Sequence, residues 1–154
     1  AGDHSLVVSS AGDVYSFGPG SNCGKLGHGE FEDTNQLTPK VIEALAGVKV
    51  RAVAAGLFHS LVLTEHGAVY SFGQGEFGQL GHGDEECQYT PKAVEALRGV
   101  KVSSITAGSR TSLAVAVNGV AYGWGCEDAR LGLGLTEDQL TPLQYPTEQL
   151  CVKA

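Results

Sequence analysis

Histidine stands directly before serine at two places in the sequence, and such pairs are candidates for nucleophilic catalysis. His4 precedes Ser5, and His59 precedes Ser60. A serine nucleophile needs a base and an orienting group in one place. Adjacent residues of a strand point to opposite faces, so we expect neither pair to form a serine–histidine couple. Because Ser112 recurs at the same place without a histidine, the sequence predicts no catalytic residues and a protein that is not an enzyme.

The histidines could also form a metal cluster, since imidazole is a common ligand of zinc. His28 and His82 each occupy the third position of Leu-Gly-His-Gly. In a third occurrence of the two histidine-containing patterns, Leu133 and Thr111 replace the histidines. We therefore expect each histidine to hydrogen-bond a neighbouring backbone group and fix a loop, and we predict no metal site. The histidines concerned are His4, His28, His59 and His82.

A glycine-rich stretch, Gly73-Gln-Gly-Glu-Phe-Gly78, matches the G-x-G-x-x-G pattern of dinucleotide-binding loops and follows a predicted strand. That pattern needs a helix next, whose N-terminus holds the pyrophosphate. Gln79-Leu-Gly-His-Gly83 follows instead, and this segment cannot open a long helix. We expect these glycines to form turns of a repeat, and no cofactor is predicted.

The cysteines are scattered along the chain. No pair has C-x-x-C spacing, and none recurs at equivalent places, so neither a disulfide framework nor a zinc site is expected. Scattered thiols suit a reducing compartment. The sequence shows no signal peptide and no long apolar run, so we expect a cytoplasmic or nuclear protein. The cysteines are Cys23, Cys87, Cys126 and Cys151.

The positions discussed so far belong to a stretch that occurs three times, at Ala1–Gly29, Ala55–Gly83 and Ala107–Gly134. Ala55 and Ala107 open two of the copies and lie about 52 residues apart, near the roughly 40–50 residues of one four-stranded propeller blade. A fixed period of this length predicts one supersecondary unit per copy. The repeats are placed approximately at 1–54, 55–106 and 107–154.

Each copy predicts a small antiparallel sheet. In the second copy, His59–Thr64 and Ala68–Phe72 are runs of β-forming residues joined by a glycine-containing turn, which indicates a hairpin. Val48–Ala54 predicts a further strand. Lys40–Ile42 predicts a short fourth strand that follows Thr-Pro. Between the last two, Glu43–Gly47 predicts one helical turn closed by glycine.

The recurring landmarks are Ala-Gly-x-x-His-Ser-Leu-x-Leu, Gly-x-Val-Tyr-x-Phe/Trp-Gly, Gly-x-Leu-Gly-x-Gly and Thr-Pro. Together they resemble the repeat of the regulator of chromosome condensation family over essentially the whole chain. This resemblance implies a seven-bladed β-propeller of four-stranded blades, in which the Val48–Ala54 strand lies near the axis and beside His59–Thr64. The expected fold class is all-β: a partial β-propeller of about three four-stranded antiparallel blades. Since closed propellers have roughly 4–8 blades, we expect residues 1–154 to be a single segment of a larger propeller, or to close by self-association.

Aromatic residues recur at alternate positions of the second hairpin strand, so both members of each pair face one side. We expect them to pack in the core between blades. A plant ultraviolet-B photoreceptor of the family uses a tryptophan cluster as its chromophore, whereas this chain has one tryptophan, so a light-sensing role ranks lowest. The aromatics are Tyr15, Phe17, Tyr70, Phe72, Tyr122 and Trp124.

Carboxylates follow each Leu-Gly-x-Gly. Equivalent loops of successive blades lie on the same face of a propeller, so these residues are expected to form an acidic arc. A solvated rim that aids solubility is one interpretation. The other is a docking face for a protein with a basic surface, because complementary charge steers encounter. The arc consists of Glu30, Glu32, Asp33, Asp84, Glu85, Glu86, Glu137 and Asp138.

The formal net charge of −7 and the lack of a basic run argue against direct nucleic-acid binding by this segment. Propellers of the family resemble scaffolds that present loops on two faces, so the first hypothesis is a non-enzymatic protein–protein interaction module. The family's founding member implies the alternative, a guanine nucleotide exchange factor for a small GTPase of the Ran type. We find no long inserted loop of the kind that exchange would require, and the sequence does not name the partner.

Overall fold

The computed structural model describes residues 4–20, 23–29, 35–126 and 131–146, and these form three antiparallel sheets stacked on one another. The first sheet has three strands in the order β1-β2-β3. Its strands are β1 (Ser5–Val8), β2 (Val14–Gly18) and β3 (Gln36–Val41).

The second and third sheets each have four strands, and each strand pairs with its neighbour in sequence. The order is β4-β5-β6-β7 in the second sheet and β8-β9-β10-β11 in the third. All-β architecture with three- and four-stranded antiparallel sheets confirms the predicted partial propeller. The strands are β4 (Val50–Ala55), β5 (His59–Thr64), β6 (Val69–Gly73), β7 (Gln88–Ala93), β8 (Val102–Ala107), β9 (Thr111–Ala116), β10 (Ala121–Gly125) and β11 (Gln139–Gln144).

The predicted hairpin of the second copy is the β5–β6 pair, in which Leu61 lies opposite Ser71. Gly67 closes the turn at a φ of 86°, a conformation that costs glycine little because it has no Cβ. The strand predicted beside this hairpin is β4, which pairs with β5 on the side away from β6. β4 also lies against β8, its equivalent in the third sheet, and against β1 of the first sheet.

The predicted start of the fourth strand is wrong. β3 and β7 begin at Gln36 and Gln88, three residues before the proline, so Pro39 and Pro91 lie inside the outermost strands. The register between β6 and β7 shifts between Ser71 and Gly73, which marks a bulge at this place. An edge strand with a bulge tolerates proline, because the missing N–H is not needed for a second ladder.

Each sheet is joined to the next through one turn of 3₁₀ helix, at Glu43–Leu45 and Glu95–Leu97. This confirms the predicted helical turn. Leu45 and Leu97 point inward and are buried. Among the described residues, no helix is long and apolar enough to span a membrane.

The core lies between the sheets rather than inside any one of them. Strand β5 is buried on both sides, because Val62 faces the first sheet while Leu61 and Leu63 face the third. Stacking therefore buries both faces of the middle sheet and one face of each outer sheet. The first interface is built from Val14, Ile42, Leu45, Val50, Val62 and Phe72. The second is built from Leu61, Leu63, Val69, Val94, Leu97, Val102, Ala114 and Trp124.

Candidate functional site: the loop face and the blade junctions

The loops that follow β4, β6 and β8 meet at one end of the stacked sheets, which we call the loop face. The Leu57 N–H donates to the Gly108 carbonyl, which joins the β4–β5 and β8–β9 loops at 3.3 Å. Arg110 joins the same end to the long β6–β7 loop, since its guanidinium carbon lies 4.3 Å from the centroid of the Phe77 ring. This face is where the predicted acidic residues of the second and third sheets belong.

The acidic residues occupy equivalent turns that lead into the outermost strands. Asp84, Glu85 and Glu86 precede β7, and Glu137 and Asp138 precede β11. All of them are exposed except Asp84, which is half-buried. Two equivalent acidic turns therefore open to solvent on the loop face. The remaining predicted members, Glu30, Glu32 and Asp33, lie outside the described residues.

Asp84 differs from its neighbours because it organises the turn. Its Oδ1 accepts a hydrogen bond from the Glu86 N–H at 3.2 Å, and its Oδ2 lies 4.0 Å from the ammonium of Lys92 on β7. A contact of this length at an exposed pair contributes little free energy. The two carboxylates that follow, on Glu85 and Glu86, are exposed to solvent.

The base of the β6–β7 loop is closed by a glycine. A Cβ on Gly75 would overlap the backbone carbonyl of Glu86, so the two ends of the loop touch. The same loop carries a further exposed carboxylate, Glu76, in addition to Asp84–Glu86. The Glu76 Oε2 accepts a hydrogen bond from Gln74 Nε2 at 2.6 Å. Sequence analysis missed Glu76, because its place relative to Glu86 depends on loop closure and not on spacing.

Arg110 stacks against two half-buried aromatic rings on the loop face. Its guanidinium carbon is 4.3 Å from the Phe77 centroid and 5.9 Å from the Phe58 centroid, within range for cation–π attraction. The three residues come from three different loops. No pattern in the sequence links them, so this cluster was also missed.

The junctions between sheets contain the histidine–serine pairs that the sequence did not predict. His4 Nε2 lies 2.8 Å from Ser60 Oγ, and His59 Nε2 lies 2.8 Å from Ser112 Oγ. Neither histidine pairs with the serine next to it in sequence. Each reaches the equivalent serine of the following sheet, a pairing between repeats that the sequence analysis did not consider.

These pairs are built for structure and not for nucleophilic attack. The Ser112 hydroxyl donates to the Gln79 carbonyl at 2.7 Å, and the Ser60 hydroxyl donates to the Lys25 carbonyl at 2.8 Å. Since a hydroxyl has one hydrogen, the Nε2 of each histidine must donate to the serine oxygen. A nucleophilic serine needs the opposite direction, with its proton passing to the imidazole.

Burial fixes the protonation of the junction histidine. His59 is completely buried, and burial, with a smaller contribution from the charge of His4, lowers the pKa of His59 to about 3. The ring is therefore neutral near pH 7, far from the range of a general base.

A second pair of histidines ties each loop to its own sheet. His28 Nε2 lies 2.9 Å from Ser16 Oγ, and His82 Nε2 lies 2.9 Å from Ser71 Oγ. The Ser71 hydroxyl in turn donates to the Leu80 carbonyl at 2.7 Å. The loop-fixing role agrees with the prediction, although the direct partner is a serine rather than a backbone group. Among described residues, no three histidine, cysteine or acidic side chains are grouped to hold a metal.

The G-x-G-x-x-G stretch serves the junction with the third sheet. Residues 74–87, all described, contain no helix. Gly78 has a φ of 70°, and a Cβ there would lie 2.7 Å from the Leu140 Cα of β11. The glycine is required because the next sheet packs directly on it.

Comparison with protein families identifies this repeat. The model described as "Regulator of chromosome condensation (RCC1) repeat" matches residues 11–63 and 66–115, and a second model of that description matches residues 50–79. The chain belongs to the RCC1 family. The predicted resemblance is thus confirmed over most of its length.

Two curated relatives and one solved structure show the range of similar proteins. The ultraviolet-B receptor UVR8 of Arabidopsis thaliana is 39% identical over 142 residues, which is 91% of this chain and 32% of the relative. The secretion-regulating guanine nucleotide exchange factor of Bos taurus is 40% identical over 144 residues, which is 92% of this chain and 30% of the relative. The chain thus spans about a third of their length.

The structure of Prp20p from Saccharomyces cerevisiae, reported with its binding properties to Gsp1p and histones, superposes with a TM-score of 0.81. It is 29% identical and covers 97% of this chain and 38% of that chain. This agreement supports RCC1 propeller blades as the fold.

Trp124 is completely buried at the second junction, and its Nε1–H donates to the Gln79 carbonyl at 2.9 Å. The equivalent positions of the other sheets hold Phe17 and Phe72. The tryptophan thus takes the same buried role as Phe72, whereas Phe17 is half-buried.

Proposed function

We propose that this chain is a non-enzymatic protein–protein interaction module, a segment of a larger RCC1 propeller that binds a partner with a basic surface. The observation that carries the proposal is the pair of exposed acidic turns on the loop face, Asp84–Glu86 and Glu137–Asp138. Like charges on a common face raise the local potential and steer an oppositely charged partner to that face. Glu30, Glu32 and Asp33 extend the same proposed rim by sequence equivalence.

The use of the polar core supports a binding role over a catalytic one. The buried serines and histidines of the described residues are engaged in fixed contacts, either at the junctions or between a sheet and its own loop, and His59 is held neutral. Exposed polar groups are concentrated in turns. A protein partner is also consistent with similar structures, since the report on Prp20p describes its binding of Gsp1p and histones.

Charge reversal tests the proposal. We expect Glu85→Lys/Glu86→Lys to weaken binding of core histones, used as a basic protein probe, at least tenfold at low salt, where charges beyond contact are weakly screened. The matched control is Glu43→Lys/Glu65→Lys, which changes net charge equally at exposed sites on the opposite end. Equal weakening by both double variants would show only a net-charge effect and would contradict a docking face.

A second candidate function is guanine nucleotide exchange on a Ran-type GTPase. The observation that favours it is the 40% identity to the secretion-regulating guanine nucleotide exchange factor. The test is release of a fluorescent GDP analogue from the GTPase with and without this chain. Acceleration that is lost in Glu85→Lys/Glu86→Lys would favour exchange at the loop face, whereas unchanged release favours simple binding.

We further propose residence in the cytoplasm or nucleus. The cysteines have no C-x-x-C spacing and do not recur at equivalent places, and scattered thiols of this kind suit a reducing compartment. Mass spectrometry of the native protein without a reducing agent tests this proposal. Stable disulfides between these cysteines would contradict it.

A further inference from the structure

The end of the molecule opposite the loop face has an open cleft on the middle sheet. The cleft lies between the β5–β6 turn, the 3₁₀ turn Glu95–Leu97 and the segment Gly99–Lys101, and its volume is about 490 Å³. The middle sheet contacts a neighbouring sheet on each side, so the cleft lies within the stack and not on an outer face of it. A space of this size takes a few side chains of a bound peptide.

The floor of the cleft is apolar. Val69, Val94 and Leu97 form it, and these three residues belong to the core at the second junction. Tyr70 and Val100 are half-buried at its sides, so part of their apolar surface is open to contact. Covering that surface with an apolar side chain of a partner removes it from water, which favours binding.

Two exposed basic side chains are held next to each other at the rim. The Val102 N–H donates to the Gly67 carbonyl at 3.1 Å, which ties the β5–β6 turn to the start of β8. His66 and Lys101 each precede one of these residues, and both line the cleft. They also line a neighbouring depression of about 320 Å³. The two side chains therefore form a ridge that a partner can reach from either side.

The charges around the cleft favour an anionic partner. Arg98 and Lys101 line the cleft and are exposed. Of the described residues that line it, only Glu95 is acidic, and its Oε2 lies 3.2 Å from Arg98 Nε. That ion pair leaves the Lys101 ammonium without a carboxylate among these lining residues. A carboxylate from a partner would supply one through a charge-assisted hydrogen bond.

The equivalent place in the first sheet has less space. Its cleft has a volume of about 150 Å³. Val41 and Ile42 line it where Ala93 and Val94 line the larger cleft, so bulkier side chains fill more of the floor. The size of the cleft on the middle sheet therefore follows from two small side chains at the end of β7.

The first sheet also lacks the free positive charge. Asp13 lines the smaller cleft where Ala68 lines the larger one. The ammonium of Lys49, the equivalent of Lys101, donates to the Ala11 carbonyl at 2.9 Å. The repeat therefore folds without a basic cleft, and the cleft on the middle sheet is a property of that sheet.

We propose that this cleft, which we call the basic cleft, binds a short acidic segment of a partner protein in which apolar side chains neighbour the carboxylates. A carboxylate accepts hydrogen bonds from the Lys101 ammonium and the His66 imidazole, and the neighbouring apolar side chain lies on the floor beside Val100. The apolar floor suits a peptide side chain and not a phosphate backbone. This surface is additional to the acidic loop face and attracts partners of the opposite charge.

Fluorescence anisotropy with a fluorescein-labelled peptide in which aspartate and leucine alternate tests the proposal. The titration uses the full chain at low salt, where attraction between charges is weakly screened. One control peptide has asparagine in place of every aspartate, and the other has serine in place of every leucine. We expect each control peptide to bind about tenfold more weakly, because each lacks one of the two kinds of contact.

Variants of the chain locate the binding. Lys101→Glu should weaken binding of the aspartate–leucine peptide about tenfold, because it replaces attraction by repulsion. The matched control is Lys49→Glu, which makes the same change of net charge at the equivalent exposed position of the first sheet and should alter binding by no more than about twofold. Ala68→Asp/Ala93→Val installs the residues that the first sheet has at the equivalent positions, and it should also weaken binding about tenfold.

Equal weakening by Lys101→Glu and Lys49→Glu would reduce the effect to net charge and overturn the proposal. Absence of binding, or undiminished binding of the asparagine peptide, would overturn it as well. Sedimentation velocity of the chain alone tests a second copy as the occupant. A dimer that Lys101→Glu dissociates would show that acidic turns of another copy fill the basic cleft, contrary to the proposal. Circular dichroism checks that every variant is folded, and Ala68→Asp/Ala93→Val decides the outcome if Lys101→Glu is not.

Discussion

The blade junctions bury their polar side chains, whereas the loop face exposes its own. At the junction of the second and third sheets, His59 and Ser112 are fully buried and have fixed donor and acceptor roles. On the loop face, Glu85 and Glu86 are exposed at a turn. The comparison teaches that in this fold the buried polar groups hold the blades together, whereas the exposed carboxylates have no such structural contact to keep and are the groups that the proposed function assigns to a partner.

The largest effect is expected where glycine lets two sheets touch. Gly78→Ala places a Cβ 2.7 Å from the Leu140 Cα at a φ of 70°, so we expect unfolding free energy to fall by about 3–4 kcal/mol from strain and overpacking. Urea denaturation measures the change. The control is Gly83→Ala, where φ is 85° but the nearest atom is 3.5 Å away, and the expected loss is about 1–2 kcal/mol. Equal losses would mean that the junction contact is not tight.

The next largest loss of stability is expected for a histidine at a sheet junction, compared with a histidine that ties a loop to its own sheet. His59→Ala leaves a cavity and removes the donor to Ser112, so we expect a loss of about 3 kcal/mol. His82→Ala removes a half-buried contact to Ser71 and should cost about 1 kcal/mol. Thermal and urea unfolding of both variants give the values. A larger loss for His82→Ala would show that the loop histidine contributes more to stability than the junction histidine, contrary to this prediction.

The pH dependence of stability should also come mainly from the junction. Burial holds the pKa of His59 at about 3, below the 6.5 of an unperturbed imidazole, so below pH 6.5 the unfolded chain binds a proton that the folded chain does not. Stability from this group is therefore complete above about pH 6.5 and is lost as pH falls toward about 3, by at most about 1.4 kcal/mol per pH unit.

Urea unfolding at several pH values between 7 and 4, compared with His59→Gln, isolates this contribution from that of the carboxylates. The glutamine variant keeps an amide donor but cannot titrate, so its stability should vary less steeply with pH. A slope identical to that of the unmodified protein would show that His59 does not titrate on unfolding.

The smallest effect on stability is expected on the loop face. Glu85→Lys/Glu86→Lys should change unfolding free energy by less than about 0.5 kcal/mol, because neither side chain is buried. The same urea titration provides the measurement. A loss above about 1 kcal/mol would show that these carboxylates belong to the structural group of polar residues, and it would blur the distinction between the two regions.

The repeat made most of the fold predictable. Runs of β-forming residues joined by a glycine-containing turn indicated β5 and β6, and the order of β4 beside β5 followed from the family resemblance. The start of β7 was missed, because a proline usually marks a strand boundary, and only the bulge opposite Ser71 and Gly73 lets the strand run through Pro91.

The site was less predictable for a physical reason. His59 and Ser112 are 53 positions apart, and their contact depends on how one blade stacks on the next. Strand alternation correctly separates His59 from Ser60 but says nothing of the next sheet. Similarly, Phe58, Phe77 and Arg110 meet only because three loops converge. The acidic turns could be found because their positions repeat.

The prolines inside the outermost strands have a consequence for solution behaviour. Pro39, Pro91 and Pro142 each lie in the strand at the outer edge of a sheet. An unpaired strand edge is a template for intermolecular β-pairing and fibril growth, and a residue without an N–H interrupts that template. Each blade therefore carries its own safeguard against edge-to-edge aggregation.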